Sequence, residues 1–273
     1  MKINRIFLTL VVTFGFLLSC THTVGKTGNK EKKIENINNP VIGKWVRIGH
    51  TGPISLEFKE NGLVAIDFGN DQTIDATSKY EIKNVTISFI DIEGKMCQGI
   101  GVYKVFQNEY YISFDLLDDN CNGRIKSTMG FWTSPNFQDN LDELDKEILN
   151  MEKPILYLNR ARIYMAIGNS KQAKPDLDNY LLHNTTDARA YINRAGTKFP
   201  DDMQGALLDC NKAIELQPAD KNAYFLRGLA LYELGEKEKA CENFSKAIEL
   251  GFSILRIAEE QRCSEFWDKE KNK

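Results

Sequence analysis

The sequence predicts an α+β protein with two domains, a small antiparallel β-barrel or sandwich followed by an all-α helical repeat array. Two observations predict this order. Between residues 41 and 134, apolar and polar residues alternate with the period of half-buried strands. Between residues 139 and 267, similar segments recur every 33 or 34 residues, which indicates tandem helical units. A chain of 273 residues is long enough for both domains.

Composition places the chain among ordinary globular proteins and excludes several functions. Hydrophobic residues make up 42% of it, charged residues 27%, and the formal net charge is −3. This balance lacks the basic surface that nucleic-acid binding needs. The sequence has no G-x-S-x-G, H-E-x-x-H, P-loop or C-x-x-C motif, and its three histidines have no partners at metal-ligand spacing. We therefore expect no catalytic residues, no metal, no cofactor and no nucleic-acid partner.

The first forty residues predict export and a lipid anchor. A short basic start precedes an apolar stretch at residues 6–18, which is too short to span a membrane and fits a signal peptide. This stretch runs into the sequence Leu-Leu-Ser-Cys20, which resembles the lipobox of bacterial lipoproteins. The resemblance implies cleavage of residues 1–19 and acyl chains such as palmitate on Cys20. An ordinary signal peptide with a chance cysteine is the alternative.

The anchor determines the expected location of the folded domains. Residues 20–40 are polar and lysine-rich, so they predict a flexible tether. We expect the protein to lie in the cell envelope, held by lipid on the outer membrane and facing the periplasm.

Short period-two segments bounded by turns predict seven or eight strands between residues 41 and 134. An Asn-Gly pair at 61–62 separates two of them, and glycine supplies the positive φ that a tight hairpin needs. The last predicted strand covers residues 124–133. The motif Gly43-x-Trp45 resembles the opening of lipocalin-like domains, in which the tryptophan closes one end of a barrel. So small a barrel is expected to be filled by its own side chains.

Export permits disulfide bonds, and two pairs are predicted. Cys97 and Cys121 flank the same end of a predicted hairpin, where their Cβ atoms can approach closely. Cys241 lies in the last repeat, and Cys263 lies in the helix expected to cover it. Cys210 replaces a bulky apolar residue, and we predict a buried free thiol there.

Three copies of one motif identify the helical half. Tyr157, Tyr191 and Tyr224 each precede an arginine followed by alanine or glycine, and Ala-Ile-Glu-Leu ends the last two copies. The pattern resembles the tetratricopeptide repeat (TPR), a helix-turn-helix unit of about 34 residues. The resemblance implies cap helices at both ends and repeats at about 154–187, 188–220 and 221–253.

The repeats carry two further signals. The middle repeat lacks one residue and has Pro200 where its first helix should close, so this helix is predicted to be short. Arg160 with Asp176, and Arg194 with Asp209, recur at similar spacing. We expect each pair to join the two helices of one repeat, and a binding site is the alternative.

The TPR resemblance implies that the first helices line a concave groove that holds peptides. The side chains expected in this groove are Leu158, Arg162, Ile192, Asn193, Phe225, Leu229 and Tyr232. We therefore predict a non-catalytic envelope adaptor that binds a protein or peptide there. The alternative is a carrier that holds a lipophilic small molecule in the β domain.

Overall fold

The protein is described by a computed structural model that covers residues 41–49, 52–94, 97–252 and 263–271. Cys20, the predicted signal peptide, the tether and most of the expected trailing cap lie outside these residues. In the covered ranges, every helix is too short or too polar to cross a membrane.

A closed antiparallel barrel of eight strands forms the first part of the chain, as the period-two pattern predicts. Each strand pairs with the next one, and β1 meets β8 through Val46 and Thr133. Gly62 has a φ of +78° in the turn between the second and third strands, which explains the glycine there. The strands are β1 Gly43–Gly49, β2 Gly52–Phe58, β3 Leu63–Phe68, β4 Ala76–Lys83, β5 Thr86–Glu93, β6 Gly101–Gln107, β7 Tyr111–Asp118 and β8 Gly130–Thr133.

Aromatic side chains fill the interior of the barrel. Phe114 lies 6.2 Å from Phe58 and 6.1 Å from Phe89, measured between ring centroids. Trp45 is buried, and its indole Nε1 donates to the Val41 carbonyl at 2.8 Å. Trp132 is fully buried beside these rings. The interior is thus a packed core, as the small size of the domain predicts.

Helix α1, Asn122–Thr128, replaces the first half of the strand predicted at residues 124–133. The predicted strand was wrong in this half because contacts with residues distant in the sequence bury the segment in the end of the barrel. Ile125 is 1% exposed in the barrel core, and Arg124 is buried against Asp119. The remaining strand, β8, has four residues.

The helical part begins with α2, Phe137–Met151, which is the expected leading cap. Three helix pairs follow, each made of a first and a second helix. The first helix of the middle pair has ten residues, against thirteen in the other two pairs, so the short helix predicted from Pro200 is confirmed. The pairs are α3 Pro154–Ala166 with α4 Ser170–His183, α5 Ala188–Thr197 with α6 Met203–Leu216, and α7 Lys221–Glu233 with α8 Lys237–Glu249, and α9 covers Ser264–Lys271.

Both predicted cysteine pairs lie at disulfide-bonding distance. The Cα atoms of Cys97 and Cys121 are 5.7 Å apart, and those of Cys241 and Cys263 are 5.6 Å apart. Cys210 is a free and buried thiol, and burial raises its pKa to about 12. This thiol therefore stays protonated at physiological pH.

Candidate protein-interaction surface

Small residues let the two helices of each repeat pack closely. Ala161 and Ala195 on α3 and α5 are fully buried, and Gly228 is at the matching position of α7. A Cβ atom on Gly228 would lie 2.5 Å from the Phe244 ring of α8. The first helices α3, α5 and α7 follow one another along the array. We call their side that carries Arg162, Ile192 and Leu229 the first-helix face.

In each of the first two repeats, one arginine on the first helix bonds carboxylates on two neighbouring helices. Arg160 donates to both carboxylate oxygens of Asp176 on α4 at 2.6 and 2.8 Å, and to Asp145 on α2 at 2.6 Å. Arg194 bonds Asp209 and Asp178 in the same way, at 2.6 to 2.9 Å. These bidentate contacts satisfy the arginines internally, which confirms the intramolecular interpretation of the repeated pairs.

In the third repeat, the arginine contacts two asparagine side chains in place of the two aspartates. Arg227 donates to Asn243 at 2.6 Å and to Asn211 at 3.1 Å. Its guanidinium carbon lies 5.1 Å from the centroid of the Tyr224 ring, and the other two arginines cover Tyr157 and Tyr191 similarly. The repeated tyrosine is therefore a platform for the repeated arginine.

The predicted groove residues divide into two groups in the structure. Leu158, Asn193 and Phe225 are buried, with exposed fractions of 2%, 7% and 6%. Leu158 packs between the helices of the first repeat, and Phe225 stacks on Phe252 at 4.2 Å. Helix packing thus removes these three from the surface that a peptide could contact. The half-buried residues on the first-helix face are Arg162, Ile192, Leu229 and Tyr232.

The barrel covers part of the first-helix face, which the sequence did not predict. Arg162 on α3 donates to the Tyr111 hydroxyl, and its guanidinium also lies over the Phe131 ring. Arg189 on α5 pairs with Asp115 and lies 4.5 Å over the Phe106 ring. Strands β6, β7 and β8 therefore present their outer side to the repeats.

The contacts of β7 follow the order of the repeats. Tyr111 meets α3, Asp115 meets α5, and the Leu116 carbonyl accepts a hydrogen bond of 2.7 Å from Lys221 on α7. Arg189 and Lys221 are thus site residues that sequence reasoning missed. Each lies at the start of a helix without a distinctive local motif, so only the folded arrangement identifies them.

The first repeat shares a hydrophobic core with the barrel. Tyr111 is 6% exposed and packs with Phe131 at 5.7 Å. Leu144 of α2 and Ile163 of α3 belong to the same cluster and are fully buried. Repeats two and three reach β7 through polar and charged side chains instead. The attachment is therefore apolar at the first repeat and polar further along.

A buried polar cluster closes the barrel near α1. Asp119 accepts bonds from Arg124 at 2.7 and 2.9 Å and from the Tyr103 hydroxyl at 2.5 Å. Burial acts to raise the pKa of Asp119, but these hydrogen bonds and that of the Cys121 amide outweigh it and hold the pKa below its ordinary value. Asp91 adds a second carboxylate 3.4 Å from Arg124. The cluster is internally satisfied, which indicates a structural role.

Across residues 41–49, 52–94, 97–252 and 263–271, no three His, Cys, Asp or Glu side chains group closely enough to hold a metal ion.

The helical part of the chain contains a tetratricopeptide repeat. The family model described as tetratricopeptide repeat matches residues 222–251, which hold α7 and α8. Human mitochondrial import receptor subunit TOM70 is 29% identical over 126 residues, covering 44% of this chain and 20% of that protein. The rat protein of that name is 30% identical over 135 residues, covering 47% and 22%. The match spans about a fifth of the length of these relatives.

Solved structures with related helical arrays include two TPR proteins. YrrB, a TPR protein described as having an unusual peptide-binding site, is 20% identical with a TM-score of 0.43, covering 46% of this chain and 66% of that chain. The first TPR of Spaghetti (RPAP3), solved with an HSP90 peptide, is 21% identical with a TM-score of 0.40, covering 44% and 96%.

Proposed function

We propose that this chain is a non-catalytic adaptor that binds a protein or peptide on the first-helix face. The observation that carries the proposal is the row of half-buried apolar side chains on α5 and α7, namely Ile192, Leu229 and Tyr232. These side chains suit a partner segment that makes hydrophobic contacts with the helices. The sequence match to TOM70, which is named as an import receptor subunit, supports a protein-binding role.

Because its interior is filled, the barrel is better suited to holding the repeats in place than to carrying a ligand. Its interior residues include Phe58, Tyr103, Phe114 and Trp132, all of them less than 2% exposed and in one contiguous core. A lipophilic ligand would have to displace these side chains, so the small-molecule carrier gains no support from the barrel. In the adaptor proposal, the barrel holds the repeats through the shared core around Tyr111.

The adaptor is further proposed to act in the cell envelope, held by lipid on Cys20 at the outer membrane and facing the periplasm. The lipobox-like sequence before Cys20 supports the lipid anchor in this proposal. Two or more acyl chains give stable membrane attachment, whereas one gives marginal binding. Cys20→Ser is expected to move the protein from the membrane fraction to the soluble fraction and to abolish labelling with radioactive palmitate. Membrane retention and labelling of the variant would contradict the anchor.

Paired substitutions test the adaptor function. Leu229→Asp places a charge on the first-helix face, whereas Leu208→Asp places one on α6, where Leu208 is 69% exposed. Full-length tagged protein would be crosslinked in intact cells and purified, and its partners quantified by mass spectrometry. We expect a defined partner set that Leu229→Asp loses and Leu208→Asp retains. Circular dichroism of both variants would verify that the helices are intact.

Partners that Leu229→Asp still captures but Leu208→Asp loses would place binding on the second helices and contradict the proposed surface. A wild-type protein that captures no partner would contradict the adaptor function itself.

A further inference from the structure

Helix α1, at the end of the barrel, is made largely of residues that form helices poorly. Its seven residues begin with Asn122 and Gly123 and include the β-branched Ile125 and Thr128. Its N-cap residue is Cys121, whose side chain makes no capping hydrogen bond, and its first turn carries no acidic side chain. So short a helix is unstable on its own, so contacts with the rest of the barrel have to hold it in place.

The disulfide bond between Cys97 and Cys121 is attached directly to this helix. It joins the residue before α1 to the loop before β6. The Cys121 amide donates to Asp119 at 2.8 Å, and the Cys97 amide donates to Asp91 at 3.0 Å. Both carboxylates contact Arg124 of α1. The disulfide therefore fixes the two chain segments whose carboxylates hold the helix.

The strands of the barrel do not depend on α1 for their pairing. The barrel closes between β1 and β8 through Val46 and Thr133, and β8 pairs with β7 through residues 130–133. The contacts of α1 with the barrel are made instead by side chains. Ile125 is 1% exposed in the aromatic core, and Trp132 Nε1 donates to the Thr128 carbonyl at 2.8 Å. Loss of these contacts would release α1 and leave the eight strands paired.

The two disulfides of the described chain differ in their exposure. Cys97 and Cys121 are half-buried, whereas Cys241 and Cys263 are each 2% exposed. Reduction of a disulfide begins when a thiolate attacks one of its sulfur atoms, so the rate depends on access to that sulfur. Exposed disulfides are accordingly the labile or regulatory ones. The bond between Cys97 and Cys121 is therefore the one that a reductant reaches first.

We propose that the disulfide of Cys97 and Cys121 is a reversible redox switch, which a dithiol reductant opens to release α1 from the end of the barrel. A thiolate of the reductant attacks one cysteine sulfur, and the second thiol of the reductant then resolves the mixed disulfide. The S–S bond of this chain breaks and both cysteines become thiols. The reductant becomes a disulfide, so two electrons and two protons are transferred. Release uncovers Ile125 and the end of the aromatic core, and reoxidation restores the closed form.

The first test measures the order of reduction in the unmodified full chain. Purified protein is incubated with dithiothreitol and quenched at intervals with N-ethylmaleimide, and the labelled cysteine peptides are quantified by mass spectrometry. We expect Cys97 and Cys121 to be labelled at least about tenfold faster than Cys241 and Cys263, because the first pair is more accessible. Equal labelling rates for the two pairs, or slower labelling of Cys97 and Cys121, would overturn the proposal.

Hydrogen–deuterium exchange shows what the reduction releases. The amide protons of residues 122–129 are compared with those of β2 and β3 in the oxidised, reduced and reoxidised protein. We expect exchange in residues 122–129 to become at least about tenfold faster on reduction, to return to its first rate on reoxidation, and to leave β2 and β3 unchanged. Unchanged exchange in α1 would contradict the switch. Faster exchange throughout the barrel, or no recovery, would show a structural disulfide instead.

Matched cysteine variants assign the effect to one disulfide. Cys97→Ser with Cys121→Ser removes the switch and should show fast exchange in α1 without reductant. Cys241→Ser with Cys263→Ser leaves the switch in place and should keep the response of α1 to dithiothreitol. A response that persists in the first variant or disappears in the second would overturn the assignment. If the first variant fails to fold by circular dichroism, the exchange measured on the wild type decides. None of these measurements involves a partner protein, so their outcome is independent of the adaptor function.

Discussion

At the residue scale, Gly101 shows how tightly the end of the barrel is packed. A Cβ atom at this position would lie 2.2 Å from Asp119 Oδ2 and 2.6 Å from Arg124 Nε. We predict that Gly101→Ala lowers the free energy of unfolding by about 1–3 kcal/mol, because the buried ion pair has to move. Urea denaturation followed by tryptophan fluorescence measures the change.

The matched control is a glycine on the neighbouring helix α1. A Cβ on Gly123 would meet the Cys121 Sγ at 4.0 Å, an ordinary contact. Gly123→Ala should therefore be neutral or stabilise the protein by up to about 1 kcal/mol. Equal destabilisation by both substitutions would contradict the packing argument.

The lowered pKa of Asp119 predicts acid sensitivity of the barrel. Burial acts to raise this pKa, and the stronger hydrogen bonds from Arg124 and Tyr103 lower it. The carboxylate therefore stabilises the folded state at pH values above its unfolded pKa of about 3.9, and this stabilisation is lost as the pH falls further. Asp119→Asn should lower stability at neutral pH and flatten its decline below about pH 4. Parallel stability curves for the variant and the wild type would rule out this role.

At the element scale, the arginines of the second and third repeats provide an internal comparison. Removal of Arg194 leaves the buried carboxylate of Asp209 with Lys198 as its remaining cation, at 2.8 Å. Removal of Arg227 leaves a neutral amide, Asn243. We predict a loss of about 3 kcal/mol for Arg194→Ala and about 1 kcal/mol for Arg227→Ala. Both arginines cover a tyrosine ring, so the loss of that contact is matched.

Chemical denaturation monitored by far-ultraviolet circular dichroism measures both effects on the helices. A larger loss for Arg227→Ala than for Arg194→Ala would show that the carboxylates do not determine the strength of these contacts.

Most elements could be predicted from the sequence because their signals are local. The Asn-Gly pair at 61–62 and the recurring tyrosines report a turn and a repeat without reference to distant residues. Helix α1 could not be predicted in this way. Its segment alternates like a strand, and the helix depends on the burial of Ile125 and on the pairing of Arg124 with Asp119. Both are contacts of the folded barrel.

At the scale of the whole molecule, the core around Tyr111 predicts that the barrel and the first repeat unfold together. Tyr111→Ala should destabilise the protein by about 3 kcal/mol, since a buried aromatic ring is lost. The fluorescence and circular dichroism transitions should shift by the same amount. Leu117→Ala on the same strand is the control, because Leu117 is 50% exposed. Separate transitions for the barrel and the helices would disprove a shared core.

The repeat spacing places residues on the first helices, but it does not show which of their side chains other elements cover. Repeat spacing placed Arg162 and Ile192 on the first helices, and the structure keeps both half-buried there. Spacing could not reveal that β7 lies against the same helices, because Asp115 and Arg189 are distant in the sequence. Packing between helices buries Leu158 and Phe225, two of the residues expected in the groove, and spacing alone does not show this burial.

Site-specific photocrosslinking in intact cells tests binding on the first-helix face without requiring that a substitution abolish it. A photoreactive amino acid would replace Leu229 on α7 in one protein and Leu208 on α6 in another. The adaptor account predicts a discrete crosslinked product of higher mass from position 229 and none from position 208. A product from position 208 alone, or none from either position, would contradict binding on the first-helix face.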